Sequence, residues 1–310
     1  MTQSVFEKIS IILVTLLALH MLVYGIFQGL AGRGDLYRLL DRVQSSAGVE
    51  VDYLMLGDSH GQQIKERFQS QDVRMMNLSV NGSNYVHHYY TLKKAYEEGI
   101  RAETVILPVD PNSFADYKVR FFANSDYFWI NILDYDALQD EEIEGYNFER
   151  KYLQGRYLPY AFDSSTWLLF ARNLFPHVAP DQDDSSPGFR NERQYYNNVL
   201  FKDYFYRTMD LARDNGSRII LVAFPASDDY FAAHAGLDGH YEQLWHDIRY
   251  GGYNPPLMDL RRLYKDDQGI FKDGHHVRND QQQRITEDFT DALLRLDQNR
   301  EAVRLSNLDD

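Results

Sequence analysis

Four short polar segments in this sequence hold the side chains able to do covalent chemistry. They are LGDSHG (56–61), NLSVNGSN (77–84), LPVDPNS (107–113) and DGHH (273–276). Acyl transfer through serine needs a base for the hydroxyl proton, an orienter for that base, and donors for the tetrahedral oxyanion. Ser59 is the candidate nucleophile. It follows a mostly apolar run, Val51 to Leu56, which reads as a buried strand, and it precedes a helix expected from about Gln62 to Phe68. Such a corner holds a hydroxyl at the sheet edge, and the helix start offers backbone N–H groups to a developing anion. DGHH sets a carboxylate, Asp273, and an imidazole, His276, three residues apart, a spacing that turns both toward one site on a loop. His276 is then the base and Asp273 its orienter. His275 competes for the first role, and chemistry alone does not separate the two imidazoles. GDSH by itself is a weak signal, since short motifs recur by chance.

The elements that must position these residues alternate. A second strand is expected over Val73 to Leu78, and a helix over about Tyr85 to Glu98 with Gly99 as its C-cap. The third strand is Glu103 to Val109. A long stretch rich in aromatics and acids, about 113–194, then interrupts the pattern; it contains DEEIEGYNFER and ends in DQDDSSPG. Its position suits a lid or substrate wall beside the end of the third strand. The pattern resumes with a helix over Tyr195 to Asp214, capped by Gly216, and a strand over Arg218 to Phe224. Asp228 to Tyr250 is mostly helical with a break near Gly236, and Pro256 to Leu260 is a short fifth strand. A last helix, about Asp280 to Leu296, places Ile285, Phe289, Ala292, Leu293 and Leu296 on one face. Strands alternating with helices imply βαβ units and a parallel sheet, hence an α/β protein.

On these segments the chain resembles the SGNH (GDSL-type) hydrolases and acyltransferases. LGDSH is similar to their first block, with Ser59 as nucleophile. NLSVNG is similar to the second, whose glycine, here Gly82, donates a backbone N–H. VDPN is similar to the third, whose asparagine, here Asn112, donates a side-chain N–H. DGHH is similar to the Asp-x-x-His of the last block, which favours His276 over His275. The resemblance spans about residues 51 to 290, apart from the insertion. It implies a flavodoxin-like three-layer sandwich and an oxyanion hole made by Ser59, Gly82 and Asn112. One departure stands out: the third block usually reads Gly-x-Asn-Asp, whereas this chain has Asp110-Pro111-Asn112-Ser113. Asp110 is therefore either structural or a tuner of the site.

Two rival chemistries share the same residues. GDSHG is also similar to the Asp-x-His-Gly opening of metallophosphoesterases, which would make Asp58 and His60 ligands of a two-metal centre. That reading needs further ligands in GDxxD, GNH[DE] and GHxH segments; the chain offers no GDxxD, has NGSN at the second place and ends in GHHV. Otherwise His60 is a neighbour that shapes the nucleophile's pocket. The other rival keeps the fold without turnover, as a polymer-binding or scaffold subunit of a membrane complex. No cofactor is expected, since neither a P-loop nor a GxGxxG following a strand is present.

The whole chain bounds where such a site works. Net charge is −14 over 310 residues, with no basic stripe to collect phosphates, so nucleic acid is not an expected partner. There are 23 Tyr and 18 Phe, and Tyr-rich surfaces suit sugars because each ring offers an apolar face and a hydroxyl. The absence of Cys removes disulfides, thiolate metal sites and a Cys nucleophile. Ile9 to Leu30 is almost wholly apolar, long enough to span a bilayer and longer than the core of a secretory signal. His20 lies in mid-span. The expected organisation is an uncleaved anchor at 1–34, a stalk at 35–50, an SGNH-like domain at 51–298 carrying the insertion, and a polar tail at 299–310. Lys8 precedes the span while Arg33, Arg38 and Arg42 follow it, so the positive-inside rule leans toward a cytoplasmic body. The resemblance implies the opposite: anchored relatives O-acetylate polysaccharides or assist teichoic-acid acylation outside the cytoplasmic membrane, beside a multi-spanning acyltransferase of the MBOAT type. On that reading the chain is single-pass, its body is extracytoplasmic, and its substrate is a cell-surface or secreted polysaccharide that is O-acetylated or deacetylated.

Overall fold

The computed structural model describes residues 2–31, 35–66, 73–114, 198–233 and 236–306. The chain divides into two compact units, Met1–Arg42 with Ala123–Asp181, and Val43–Phe122 with Gln182–Asp310. In the first unit the main described element is helix α1, Thr2–Ala31. Its segment Glu7–Ile26 has mean hydropathy 2.4 and is long and apolar enough to cross a membrane. The leucines, isoleucines and valines from Ile9 to Leu22 are 51–66% exposed, so no protein core covers them. Polar groups in α1 find partners along the helix: Thr15 donates to the Ile11 carbonyl at 2.8 Å, and His20 stacks on Tyr24 one turn away. Helix α2, Asp35–Ser45, follows.

The second unit is a parallel five-stranded sheet with helices around it. The strands are β1 (Glu50–Met55), β2 (Met75–Asn77), β3 (Arg101–Pro108), β4 (Arg218–Ala223) and β5 (Leu257–Asp259), in spatial order β2-β1-β3-β4-β5. Every pair is parallel, with Tyr53 opposite Met75 and Thr104, and Ile106 opposite Ile220. This is the doubly wound order of flavodoxin, which reverses direction between β1 and β3. The α/β fold expected from the alternating pattern is therefore the fold observed, with strand limits shifted by one or two residues. The helices are α3 (Ser59–Gln62), α4 (Tyr85–Glu97), α5 (Val199–Asp214), α6 (Asp228–Ala233), α7 (Leu237–Tyr250) and α8 (Gln282–Ser306).

Burial on both faces explains the near-continuous apolar strands. Tyr53, Met55, Ile106, Ile220, Val222 and Met258 join Ile285, Phe289 and Leu293 of α8 in one core. The intervening Leu54, Val105, Leu107 and Leu221 are at most 3% exposed and face the opposite side, since neighbouring strand residues alternate. On α4, Tyr85 is fully buried, packs on Phe114 and Phe205, and donates to the Pro108 carbonyl at 2.6 Å. Gly99 takes φ +79° at the end of α4, where the Ile100 N–H reaches the Ala95 carbonyl; this is the cap expected there.

Two expectations differ. The helix expected from about Gln62 to Phe68 is instead a single turn, Ser59–Gln62, which ends where that expected helix begins; Asp58 caps it and accepts the His60 N–H at 3.1 Å, residues 63–66 are not helical, and 67–68 lie outside the described residues. The break expected near Gly236 is present, between α6 and α7. The last helix runs on to Ser306 instead of ending near Leu296, so most of the expected polar tail is helical. Of the insertion, only Ser113 and Phe114 are described, within a 3₁₀ turn at Pro111–Phe114; the expected lid or wall lies outside the described residues.

Candidate active site

The four polar segments of the sequence leave the carboxyl ends of the strands. Ser59 follows β1, Gly82 follows β2, Asp110 and Asn112 follow β3, and Asp273 and His276 lie in the loop between β5 and α8. The reversal of strand order between β1 and β3 opens a crevice at that edge, the place where doubly wound sheets bind ligands.

Glycines allow the Ser59 corner to form. A Cβ on Gly57 would come 2.8 Å from Ser79 Oγ, and one on Gly61 would come closer still. The segment after β2 is laced to the corner: the Val80 N–H and the Ser83 hydroxyl both donate to the Gly57 carbonyl, at 2.9 and 2.7 Å. Asn77 donates through Nδ2 to the carbonyls of Gly61 and Ile64, both at 2.8 Å, and accepts the Ser79 N–H. Asn84 then caps α4 in a reciprocal capping box with His87. NLSVNGSN is thus a brace for the nucleophile corner as well as a turn. Within it Gly82 sits at φ +75°, a conformation that glycine adopts without strain.

The DGHH loop is pinned from three directions. Phe271 and Val277 form an antiparallel bridge across its neck, and the Lys272 N–H reaches the His276 carbonyl at 2.9 Å. The Ser227 N–H, beyond β4, donates to the Gly274 carbonyl at 2.9 Å. Gln63, one turn after Ser59, accepts the Val277 N–H on Oε1 at 2.8 Å. That last bond joins the nucleophile helix directly to the residue after His276. Gln63 escaped notice in the sequence because a glutamine past a helix start looks like ordinary surface; here it is only 8% exposed.

The result is a continuous relay. Asp273 Oδ1 accepts the backbone N–H groups of His275 and His276 at 2.9 and 2.7 Å. Asp273 Oδ2 lies 2.9 Å from His276 Nδ1, and His276 Nε2 lies 2.8 Å from Ser59 Oγ. An ionised carboxylate only accepts, so Nδ1 carries the proton and donates to Asp273. Nε2 is then left to accept the Ser59 hydroxyl proton, the tautomer a general base requires. Burial opposes the negative charge on Asp273, but the His276 side chain and the two backbone N–H groups outweigh it and hold the carboxyl well below the usual range.

The other sequence candidates fall around this relay. The His275 ring packs against the rings of Tyr230 and His60. Burial, with His60 and His276 adjacent, pulls its pKa down to about 3, so it is neutral at physiological pH. His60 is buried against the rings of Phe224, His275 and His276. Its Nδ1 lies 3.5 Å from Asp58 Oδ1 and 3.7 Å from Asp110 Oδ2. Asp110 is 5% exposed and accepts the Tyr241 hydroxyl at 2.7 Å, so it anchors α7 while facing His60. Asn112 lies in the 3₁₀ turn after β3, and its side chain is outside the described residues.

No protein-family model matches the chain, and no curated protein matches it in sequence. Among solved structures, one from Streptococcus pneumonia named for platelet activating factor is similar at 12% identity and a TM-score of 0.40, covering 88% of this chain and 98% of that one. A superposition that loose leaves the chemistry to be judged from the site's own geometry.

Proposed function

We propose that the protein is a serine-dependent acyl-transfer enzyme of the SGNH type, held at the cytoplasmic membrane by α1. One observation carries the reading: the Ser59–His276–Asp273 relay, with contacts of 2.8 and 2.9 Å, at the switch point of a parallel sheet. In it Ser59 Oγ attacks the acyl carbon while His276 takes its proton; His276 then protonates the leaving oxygen. The oxyanion is received by the Ser59 N–H at the start of α3 and by the Gly82 N–H, with Asn112 as a third donor. The second half-reaction repeats the sequence with water or a sugar hydroxyl as acceptor. The Tyr-rich composition and the apolar anchor favour a polysaccharide outside the membrane, O-acetylated or deacetylated, with a multi-spanning acyltransferase as donor-side partner.

Brief exposure of the full-length protein to an activated acetyl ester should leave an acetyl group on Ser59, seen by mass spectrometry, and none on Ser59→Ala. Supplying oligosaccharide acceptors should then divert the acyl group from water to sugar. An unlabelled Ser59 together with chelator-sensitive phosphatase activity would transfer the case to the metal-dependent reading through Asp58 and His60. An unlabelled Ser59 with neither activity would leave a binding or scaffold subunit.

A further inference from the structure

The relay uses one imidazole, yet three meet at its base end. His60, His275 and His276 each bring a ligand atom to within 4.8 Å of the other two. The His275 and His276 rings are 4.2 Å apart between centroids, and His60 stands 5.1 and 5.4 Å from them. We propose that this trio is a binding site for a borderline divalent transition-metal ion such as Zn²⁺ or Co²⁺, and that occupancy switches the enzyme off by capturing His276. The inhibitory part rests on the reading of His276 as the base; the binding part does not.

Three features support the site. First, the donors are of one kind, and imidazole nitrogen suits zinc, cobalt, nickel and copper rather than magnesium or calcium. Second, the outer shell is in place. Asp273 fixes Nδ1 of His276 at 2.9 Å, and Asp58 and Asp110 flank Nδ1 of His60 at 3.5 and 3.7 Å. Carboxylates behind ligating imidazoles set the ring orientation and raise ligand basicity. Third, His275 Nδ1 is buried without a hydrogen-bond partner and lies in the same cluster. His275 and His276 are partly exposed, while His60 is buried.

Zinc–nitrogen bonds of about 2.0–2.1 Å place tetrahedral donors roughly 3.4 Å apart, so donor atoms up to 4.8 Å apart must draw in by at most about 1.4 Å. His275 and His276 share one loop, where small torsional changes supply that. A metal on Nε2 of His276 occupies the lone pair that receives the Ser59 proton, and it breaks the 2.8 Å contact. The ion needs no redox partner, and the proton stays on Ser59.

The test is a Co²⁺ titration of the full-length protein in detergent at neutral pH. Visible d–d absorption should develop with one ion per chain, be displaced by Zn²⁺ and be abolished in His275→Gln. Tm should rise with Co²⁺ in the wild type, as expected for a ligand that binds only the folded state. Aryl acetate turnover should fall as the spectrum grows and return with chelator. His275→Gln, which leaves the relay intact, should keep its turnover in Zn²⁺. No spectrum and no shift in Tm would overturn the site. Equal Zn²⁺ inhibition of the wild type and His275→Gln, or stimulation of turnover by metal, would overturn the switch. A cobalt spectrum in a protein without esterase activity would keep the site and remove the acyl-transfer reading instead.

Discussion

Asp273 does two jobs with two oxygens, and that division separates the neighbouring histidines. Oδ1 ties down the backbone of both, while Oδ2 takes the side chain of His276 alone. His276→Ala should therefore lower aryl acetate turnover by about 10²–10⁴-fold, whereas His275→Ala should retain most of it, with folding checked by circular dichroism. The reverse ranking would mean that the loop presents the other ring during turnover. The same pair sets the response to acid. His275 binds a proton only near pH 3 when folded, against about 6.5 when unfolded, so between those values the unfolded chain holds more protons. Stability from this group is complete above about pH 6.5 and declines as the pH falls toward 3. Asp273, ionised in the folded state below the ordinary carboxylate range, adds to the loss in the same direction from about pH 5 downward. Denaturant midpoints at pH 7, 5.5 and 4 should fall steadily in the wild type and more gently in His275→Gln.

Among the elements, what was legible in the sequence is what periodicity and spacing encode. Val51 to Leu56 is apolar throughout because β1 is covered on both faces, and Phe289 and Leu293 recur at helical spacing because α8 lies on the sheet. Spacing alone leaves His275 and His276 open, and only the resemblance to an Asp-x-x-His block favours His276, whose ring meets Asp273 because the loop bends back on its own carboxylate. Contacts between distant buried polar groups leave no such trace. Gln63 and Asn77 are polar residues near element ends, and nothing local distinguishes them from solvated ones; they were missed. The helix expected over about Gln62 to Phe68 is the short turn Ser59–Gln62 instead, although the cue for its start, an Asp before Ser-His-Gly, was present. The extension of α8 beyond Leu296 carries no apolar stripe, and the pattern had nothing to follow. Gln63 gives this a test. Gln63→Ala removes the acceptor of a buried N–H, which typically costs about 1–3 kcal/mol, and loosens His276 relative to Ser59. Turnover number should drop with KM little changed, and Gln63→Glu, which still accepts, should recover part of the rate. An effect on stability alone would make the bond purely structural.

At the scale of the molecule, α1 and the sheet domain demand different solvents. The 20-residue segment Glu7–Ile26 is long and apolar enough for hydrocarbon, while a net charge of −14 over the chain suits water. With α1 retained and the body outside, protease added to intact spheroplasts should degrade the body and leave a membrane-embedded stub. Complete protection would place the body in the cytoplasm and end the polysaccharide reading. The relay itself joins residues 217 positions apart. At synthesis rates of about 5–20 residues per second, that separation is roughly 10–40 s during which the ribosome has made Ser59 but not His276. Throughout that interval Ser59 is an ordinary alcohol, since the imidazole that its hydroxyl contacts in the folded chain has not yet been made. On the proposed chemistry, assembly order sets a delay: the hydroxyl gains its acceptor only when nearly the whole polypeptide exists.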